Sequence, residues 1–392
     1  MKSFFLTRST VINLALLCST ACFAGLPGSD NILDPANLTG ALLNLDASQL
    51  KPVNFALTGS LHTGRCKHEM TELSNGKILI TGGMGASGAL NTAEIYDPDT
   101  GIFSQLAERL NHARYDHKAI LLADNTVLLT GGSDNTSGSE VQLSSAEIFT
   151  GTTFTATGSM ASARTMFTLN KLNDNRIIAI GGRNSSSSGG IRKWSIYSAG
   201  TWTNSTAELS IGRYSHSATS LSDGRILVGG GAEYEAVTYT AEIINSGATA
   251  VSTIANLMRE DRKYHSAVLL QNGNVLFVGW GSRSEIWNTG NQLFVDAGAY
   301  SPVNNQTVLL NDGTPLVIGG SATLSSPVVR EAYTYNINTD NFSFAGRMNQ
   351  SRQYFSAIKL SSGKVLVSGG CVYDSVNTLY LQTAEIYEAT SN

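Results

Sequence analysis

Pairs of adjacent glycines recur along this chain at a nearly fixed spacing, and no other feature of the sequence restricts the possible folds as strongly. Successive doublets are 49 or 50 residues apart, except for one interval of 40 residues. Regular internal repetition on this scale is typical of proteins that stack copies of one small structural unit. The doublets begin at Gly82, Gly131, Gly181, Gly230, Gly279, Gly319 and Gly369, and Trp280 is the second residue of the fifth.

Each doublet follows two short stretches in which apolar and polar residues alternate. In the first copy these stretches are Glu69–Leu73 and Lys77–Thr81, and they flank Asn75-Gly76. Asn-Gly between alternating stretches is typical of a β-hairpin with a type I′ turn. Ala93–Asp97 reads as a third strand, and an aromatic residue after the next turn begins a fourth. The sequence therefore predicts four strands in every copy.

An arginine precedes the first strand in six of the seven copies, and His or Phe follows it three residues later. The sixth copy has Pro302 and Asn305 instead. The six pairs are Arg65/His68, Arg114/His117, Arg164/Phe167, Arg213/His216, Arg262/His265 and Arg352/Phe355. Four strands in a period of about 50 residues predict an all-β fold, a seven-bladed β-propeller with four-stranded blades.

The combined pattern of Arg-x-x-His, Asp/Asn-Gly, Gly-Gly and Ala-Glu-Ile-Tyr resembles the kelch repeat. It is similar, more narrowly, to the repeats of secreted bacterial kelch proteins and of the central domain of galactose oxidase. The resemblance covers residues 55–388 and implies a propeller of kelch blades. It says little about activity, because propellers carry many unrelated functions.

The two ends of the repeat region predict how the ring closes. The seventh copy ends near Tyr387 without a fourth strand, whereas Phe55–Arg65 matches the fourth-strand segment Phe154–Arg164 almost residue for residue. We therefore expect Val53–Leu61 to form the outer strand of the last blade, which removes a free sheet edge. The predicted domains are a signal peptide (1–24), a leader (25–52) and the propeller (53–392).

The first 24 residues predict export. Lys2 and Arg8 precede an apolar run, Val11–Ala21, that is too short to span a membrane as a helix. We expect cleavage after Ala24 and a secreted or periplasmic protein; a lipid anchor at Cys22 is the less favoured alternative. No membrane span is expected, and the formal charge of −4 without a basic stripe argues against a nucleic-acid partner.

Two cysteines remain after the predicted signal peptide. Cys66 lies at the start of the first blade, and Cys371 follows the last doublet, at the end of the second strand of the seventh blade. In a closed ring these positions share one face of neighbouring blades. The positions predict a Cys66–Cys371 disulfide, and two separate buried thiols are the alternative.

The repeated polar residues are expected to be structural. The arginines should pair within each blade with a glutamate of the third strand; the expected partners are Glu94, Glu147, Glu242, Glu285 and Glu385. His68, His117, His216 and His265 share one repeat position with two phenylalanines, which favours packing over a metal site.

Tyr264-His265 is the position where a catalytic interpretation is sharpest. The pair resembles two copper ligands of galactose oxidase and glyoxal oxidase at the same repeat position. The family's Tyr–Cys cross-link has no counterpart, because Tyr354 occupies the second tyrosine's position but its preceding blade contains no Cys. A Cu(II) site of this kind needs four suitable ligands, so we expect no cofactor and no metal.

The sequence therefore predicts an exported kelch propeller that acts as a non-catalytic module binding a protein or a surface glycan. The variable loops between second and third strands define the candidate surface. Its candidate contacts are Tyr234, Tyr239, Tyr264, His265, Trp280, Tyr373 and Tyr380. The alternative is an enzyme, either a copper oxidase like galactose oxidase or a sugar isomerase like the periplasmic sialic acid mutarotase, which also resembles a kelch propeller. The sequence does not predict an oligomeric state.

Overall fold

The computed structural model describes residues 54–389, apart from 186, 322, 324–327 and 374–377. The predicted signal peptide (1–24) and leader (25–52) lie outside the described residues. The described residues belong to one compact unit. Within its described part, the structure contains no helix with the length and hydropathy needed to cross a bilayer.

The described residues form seven four-stranded antiparallel sheets arranged as the blades of a propeller ring, which confirms the predicted fold class. The strands of the first three blades are Glu69–Glu72, Ile78–Thr81, Ala93–Asp97 and Ile102–Gln105; Lys118–Leu121, Val127–Thr130, Ala146–Phe149 and Phe154–Thr157; and Thr168–Lys171, Ile177–Ile180, Ser195–Ser198 and Thr201–Asn204. Those of blades 4, 5 and 6 are Ser217–Ser220, Ile226–Gly229, Ala241–Ile244 and Val251–Thr253; Ser266–Leu269, Val275–Val278, Glu285–Trp287 and Phe294–Asp296; and Gln306–Leu309, Pro315–Ile318, Glu331–Asn336 and Asn341–Arg347.

Blade 7 draws its strands from both ends of the repeat region, as predicted. Ser356–Lys359, Val365–Ser368 and Thr383–Tyr387 supply three strands, and Phe55–Ser60 supplies the outer one. Phe55 pairs with Tyr387, and their rings lie 5.0 Å apart. The first strand of every blade contacts the first strands of both neighbouring blades, so the ring is closed around a central channel.

The hydrophobic core lies between adjacent blades. Every residue of the second strand is buried in all seven blades. In one cluster, Ile78, Ile80 and Tyr96 of blade 1 pack with Leu366 and Ala384 of blade 7. Full burial of such a side chain stabilises the fold by about 1.5–3 kcal/mol. Each blade therefore depends on its two neighbours for its core.

The hairpin turns differ from the predicted type I′. In blade 1 only Gly76 has a left-handed φ (78°), and its N–H bonds the Leu73 carbonyl 2.9 Å away. This is a type I turn followed by one left-handed residue, the usual three-residue hairpin loop. The Asn75 side chain accepts from the Lys77 amide at 3.1 Å, which explains why Asn or Asp recurs at this position.

Five of the loops between second and third strands contain a small two-stranded ribbon that the sequence does not predict. The ribbons are Met84–Gly85/Gly88–Ala89, Ser133–Asp134/Val141–Gln142, Arg183–Asn184/Ser187–Gly190, Ala232–Glu233/Ala236–Val237 and Cys371–Tyr373/Thr378–Tyr380. Cys371 therefore begins a ribbon instead of ending the second strand. These loops and the connections between blades lie on one face of the propeller, which we call the loop face.

Candidate functional site: the mouth of the central channel

A buried arginine fixes the loop-face end of six blades. In blade 1, Arg65 Nη1 donates to the Gly82 carbonyl at 2.7 Å, and Nη2 bonds Glu94 at 2.8 Å. The predicted pairing within a blade is confirmed for Arg65–Glu94, Arg114–Glu147, Arg213–Glu242, Arg262–Glu285 and Arg352–Glu385. In blade 3, Arg164 bonds Ser195 Oγ instead, at 3.0 Å. These buried residues hold the scaffold together.

Four buried histidines join each of their blades to the preceding blade. Each Nε2 lies within hydrogen-bond distance of a Ser or Thr hydroxyl; the pairs are His68–Ser368, His117–Thr81, His216–Thr168 and His265–Ser217. Burial lowers the pKa of all four imidazoles, and nearby arginines lower it further. The pKa of His68 and that of His216 fall to about 3. The imidazoles are therefore neutral at ordinary pH, which agrees with the predicted packing role.

The glycine doublets give these rings their space. At Gly82, φ is 56° and an added Cβ would lie 2.4 Å from the Arg114 carbonyl oxygen and 3.0 Å from His117 Cε1. Both the backbone conformation and the close approach of the next blade thus require glycine. At Gly131 the ring of Phe167 takes the place of the imidazole.

A ring of seven residues surrounds the mouth of the channel on the loop face. Each stands two positions after the repeated arginine, or after Pro302 in blade 6, and each has a left-handed φ between 50° and 56°. We call this set the mouth ring; its members are Lys67, Asp116, Met166, Ser215, Tyr264, Asn304 and Tyr354. All seven line a cavity of about 270 Å³.

Backbone hydrogen bonds join the mouth ring from blade to blade. The Lys67 amide donates to the Tyr354 carbonyl at 2.8 Å, which crosses the seam between blades 7 and 1, and the Asp116 amide donates to Lys67 at 3.0 Å. Equivalent bonds run from Ser215 to Met166 and from Tyr264 to Ser215, and a fifth runs from Asn304 to Tyr264. The side chains of the mouth ring are thus presented by a rigid backbone.

The charged side of the mouth belongs to blades 1 and 2. Lys67 Nζ lies 3.1 Å from Asp116 Oδ2 and 5.1 Å from the centre of the Tyr354 ring. Burial opposes the ammonium, but the Asp116 carboxylate outweighs it and raises the pKa of Lys67. A second pair, Glu69 with Lys118, joins the first strands of the same two blades. These two ion pairs carry no net charge.

The rest of the mouth, formed by blades 3 to 7, is neutral and partly aromatic. Tyr264 lies at a half-buried position, and its hydroxyl points towards Met166 Sδ at 4.0 Å. The Asn304 amide is 3.4 Å from Gln353 Oε1. Burial raises the pKa of Tyr354, which keeps its hydroxyl protonated. The mouth thus offers hydroxyl, amide and thioether groups facing an ion pair.

The sequence-predicted contact residues fall into separate groups. Tyr264 belongs to the mouth ring, and Trp280 lies beside it with ring centres 6.3 Å apart. His265 is buried against Ser217. The remaining four tyrosines lie on the ribbon-bearing loops of two non-adjacent blades: Tyr234 and Tyr239 in blade 4, and Tyr373 and Tyr380 in blade 7. Tyr234, Tyr239 and Tyr373 are exposed, and Tyr380 is half-buried.

Sequence reasoning missed most of the mouth ring. Its seven members share a backbone conformation but no side-chain chemistry, so the position has no residue-type period. The only signal was a fixed offset of two residues from the arginine, next to the His or Phe that the repeat does reveal.

A disulfide links Cys66 to Cys371, with the two Cα atoms 5.5 Å apart. Both side chains are buried. The bond joins blade 1 to blade 7 beside Lys67 of the mouth ring. It therefore covalently fastens the same seam that the outer strand Phe55–Ser60 closes.

Residues 72–109 match the family model described as "Kelch motif". No match was found among curated protein sequences. Among solved structures, the chain is similar to a protein described as a "novel fungal alcohol oxidase with catalytic diversity among the AA5 family, in complex with copper". That likeness has a TM-score of 0.64 and 16% identity, and it covers 86% of this chain and 76% of the oxidase. The chain is thus a seven-bladed β-propeller that contains a kelch motif, and the predicted kelch resemblance is confirmed.

The residues around Tyr264-His265 do not fit the copper site that their resemblance to galactose oxidase ligands would imply. His265 Nε2 lies 2.9 Å from Ser217 Oγ, and its ring packs against Phe277. Tyr354, at the position of the second tyrosine, lies beside the Lys67 ammonium. No group of three or more His, Cys, Asp or Glu side chains with metal-binding geometry occurs in the part of the chain that the structure describes.

Proposed function

We propose that the protein is an exported, non-catalytic binding module that engages a protein or a surface glycan with its loop face, centred on the mouth ring. One observation carries the proposal. The arginine, glycine and third-strand positions repeat from blade to blade, whereas the equally constrained mouth-ring position differs chemically among blades. Repeat proteins commonly bind ligands in this way, with a scaffold that is the same in every repeat and surface residues that differ among repeats.

The backbone of the mouth ring supports this role. Five of its seven residues, all but Asp116 and Asn304, hold a left-handed conformation that costs stability and is most common at functional sites. Since the strain is held by hydrogen bonds between blades, the side chains are fixed before a ligand arrives. Preorganisation of this kind lowers the entropic cost of binding.

The size of the mouth limits what enters it. The cavity of about 270 Å³ is smaller than the roughly 300–1,000 Å³ of pockets that enclose drug-sized ligands. It suits one side chain or one sugar unit of a larger ligand whose remainder rests on the surrounding loops. Exposed Tyr239 and Tyr373 are suitable contacts there, since tyrosine gives large contact area at low entropic cost.

The export part of the proposal rests on the N-terminal sequence and is supported by the disulfide. Lys2, Arg8 and the short apolar run have the order of a signal peptide. Stable disulfides are typical of oxidising compartments. N-terminal sequencing of the protein recovered from an extracellular or periplasmic fraction tests this part; a mature chain that retains residues 1–24 contradicts it.

A binding screen tests the module. The purified propeller is applied to a glycan array and to a panel of surface proteins, and each hit is titrated against Tyr239→Ala and Tyr373→Ala. Leu293→Ala, which removes an exposed apolar side chain from the opposite face, is the matched control. We expect weaker binding for the tyrosine variants alone. Binding that depends on Leu293 and is indifferent to the loop face would overturn the proposal.

The structural likeness to an AA5 oxidase keeps one enzymatic candidate, a copper oxidase, open to direct test. Copper analysis of the purified protein and a hydrogen peroxide assay with sugar alcohols and aldehydes decide it. Stoichiometric copper, with turnover lost in His265→Ala, would replace the binding-module proposal. We expect no stoichiometric copper and no turnover, because His265 is buried and hydrogen-bonded to Ser217.

A further inference from the structure

Blade 5 departs from the other blades at one place on the loop face. Its loop between second and third strands is about ten residues shorter, and it carries Trp280 where every other blade has glycine. The equivalent glycines are Gly83, Gly132, Gly182, Gly231, Gly320 and Gly370. The short loop leaves the indole half-buried beside the mouth ring.

Trp280 is held in a strained conformation. Three consecutive residues are left-handed, with φ of 118° at Gly279, 60° at Trp280 and 56° at Gly281. A bulky residue in this region costs stability relative to glycine, and such strain is most often found at functional sites. The glycine found in six blades would be the more stable choice, so folding alone does not explain the tryptophan.

The neighbouring turn is rigid. The Glu260 carboxylate accepts from the Ser282 amide at 2.7 Å and from the Arg283 amide at 3.3 Å. At Gly281 an added Cβ would lie 2.1 Å from the same carboxylate, so the turn packs directly on Glu260. The indole is thus presented on a fixed support and not on a flexible loop.

Polar groups surround the indole in a balanced set. Lys263 Nζ lies 5.0 Å from the centre of the Trp280 ring and 4.0 Å from Glu235 Oε2. Tyr264 is tilted by 46° to Trp280, and its hydroxyl lies 4.0 Å from the Met166 thioether, too far for a strong hydrogen bond. Donors, an acceptor and an apolar face therefore meet within one small area.

We propose that Trp280 and Tyr264, with Lys263 and Glu235, bind one pyranose ring of a glycan. A pyranose offers an apolar C–H face for the indole and a rim of hydroxyls that matches an ammonium, a carboxylate and a phenol. Glu235 is shared between Lys263 and Arg183, whose Nη1 lies 3.6 Å from its other oxygen. The Glu260 carboxylate beside the same turn balances the second cation. The site therefore has no excess charge and suits a neutral sugar better than an anion. The inference rests on the proposed function and selects a glycan over a protein as the ligand at this place.

The test uses a substitution that the chain itself suggests. Trp280→Gly restores the glycine doublet of the other six blades, and Trp280→Asn keeps a residue that tolerates the left-handed region. The mature protein and both variants are applied to an array of neutral and acidic oligosaccharides. The strongest hit is then titrated by calorimetry, with urea unfolding measured in parallel and Leu293→Ala as the control.

We expect both Trp280 variants to be at least as stable as the parent and to bind the oligosaccharide more than about tenfold more weakly, as for a central aromatic contact. Trp280→Phe should retain part of the affinity. Unchanged affinity in Trp280→Asn, or a loss of stability in both variants without loss of binding, overturns the inference. If the protein binds a surface protein and no glycan, the inference fails while the proposed function stands. If it binds neither, both fail.

Discussion

Replacing His216 by phenylalanine should make the propeller less sensitive to acid. His216 is buried between blades 3 and 4, with its Nε2 3.2 Å from the Thr168 hydroxyl. Burial, with help from Arg213, lowers its pKa from 6.5 to about 3. Between these two values the unfolded chain binds a proton that the folded chain does not. Stability contributed by the neutral imidazole is therefore present above pH 6.5 and is lost as the pH falls below it.

The magnitude at pH 5 depends almost wholly on the unfolded chain, because the folded imidazole is neutral there. The pH is then 1.5 units below the pKa of the unfolded imidazole. At about 1.36 kcal/mol per pH unit, protonation of this imidazole stabilises the unfolded state by about 2 kcal/mol. Phenylalanine removes this term. Phenylalanine already occupies the same position in blades 3 and 7, as Phe167 and Phe355, and Phe167 packs on Gly131, so the variant should fold.

Urea unfolding at pH 8 and pH 5 measures the effect. At pH 8, His216→Phe should cost about 1 kcal/mol for the lost bond to Thr168. Between pH 8 and pH 5, the parent should lose about 2 kcal/mol more stability than the variant. Carboxylate contributions are common to both proteins and cancel in this comparison. An equal loss in the two proteins would refute the buried neutral imidazole as the source of acid sensitivity.

Three further perturbations probe the scaffold. Glu242→Gln leaves the buried Arg213 without its anion and should cost about 3–5 kcal/mol in chemical denaturation. Cys371→Ala removes the bond to Cys66 and should cost about 2–5 kcal/mol, measured under oxidising conditions. Phe55→Ala empties a fully buried position at the ring seam and should lower the unfolding free energy by about 3–5 kcal/mol.

Matched control substitutions outside the core distinguish these specific losses of unfolding free energy from non-specific destabilisation. Asp174→Asn breaks an exposed pair with Arg176 and should change stability by less than about 1 kcal/mol. A similar small change in Glu242→Gln would contradict the structural role of the buried pair. For the disulfide, equal stability of parent and Cys371→Ala in the presence of reductant is expected, and a persisting difference would point to packing instead.

The repeating part of this structure could be predicted because its physics is local. Three features restrict the residue type in each blade: the left-handed turn residue, the glycine doublet that the next blade approaches closely, and the apolar core between blades. Each of them therefore recurs at a regular interval in the sequence. The match between Phe55–Arg65 and a fourth-strand segment also predicted the ring closure. The Arg–Glu pairs followed because the sixth blade lacks both partners, with Pro302 and Tyr333 in their places.

The site could not be predicted in the same way. The members of the mouth ring share φ values and backbone hydrogen bonds. Any side chain can adopt this backbone geometry at some cost in strain, so the residue type at this position does not repeat along the sequence. The histidine contacts cross to the preceding blade, over 36 residues for Thr81–His117 and 300 for His68–Ser368. The ribbons were missed because strands of two to four residues are too short to show an alternating pattern.

The most direct measurement of the central claim is a footprint of the bound ligand by hydrogen–deuterium exchange, using the hit from the binding screen on the intact mature protein. The account predicts added protection at the loop face, in peptides containing Lys67, Tyr264 and Tyr354, with the hairpin turns at Gly76 and Gly224 unchanged. Protection confined to those turns, on the opposite face, would contradict it.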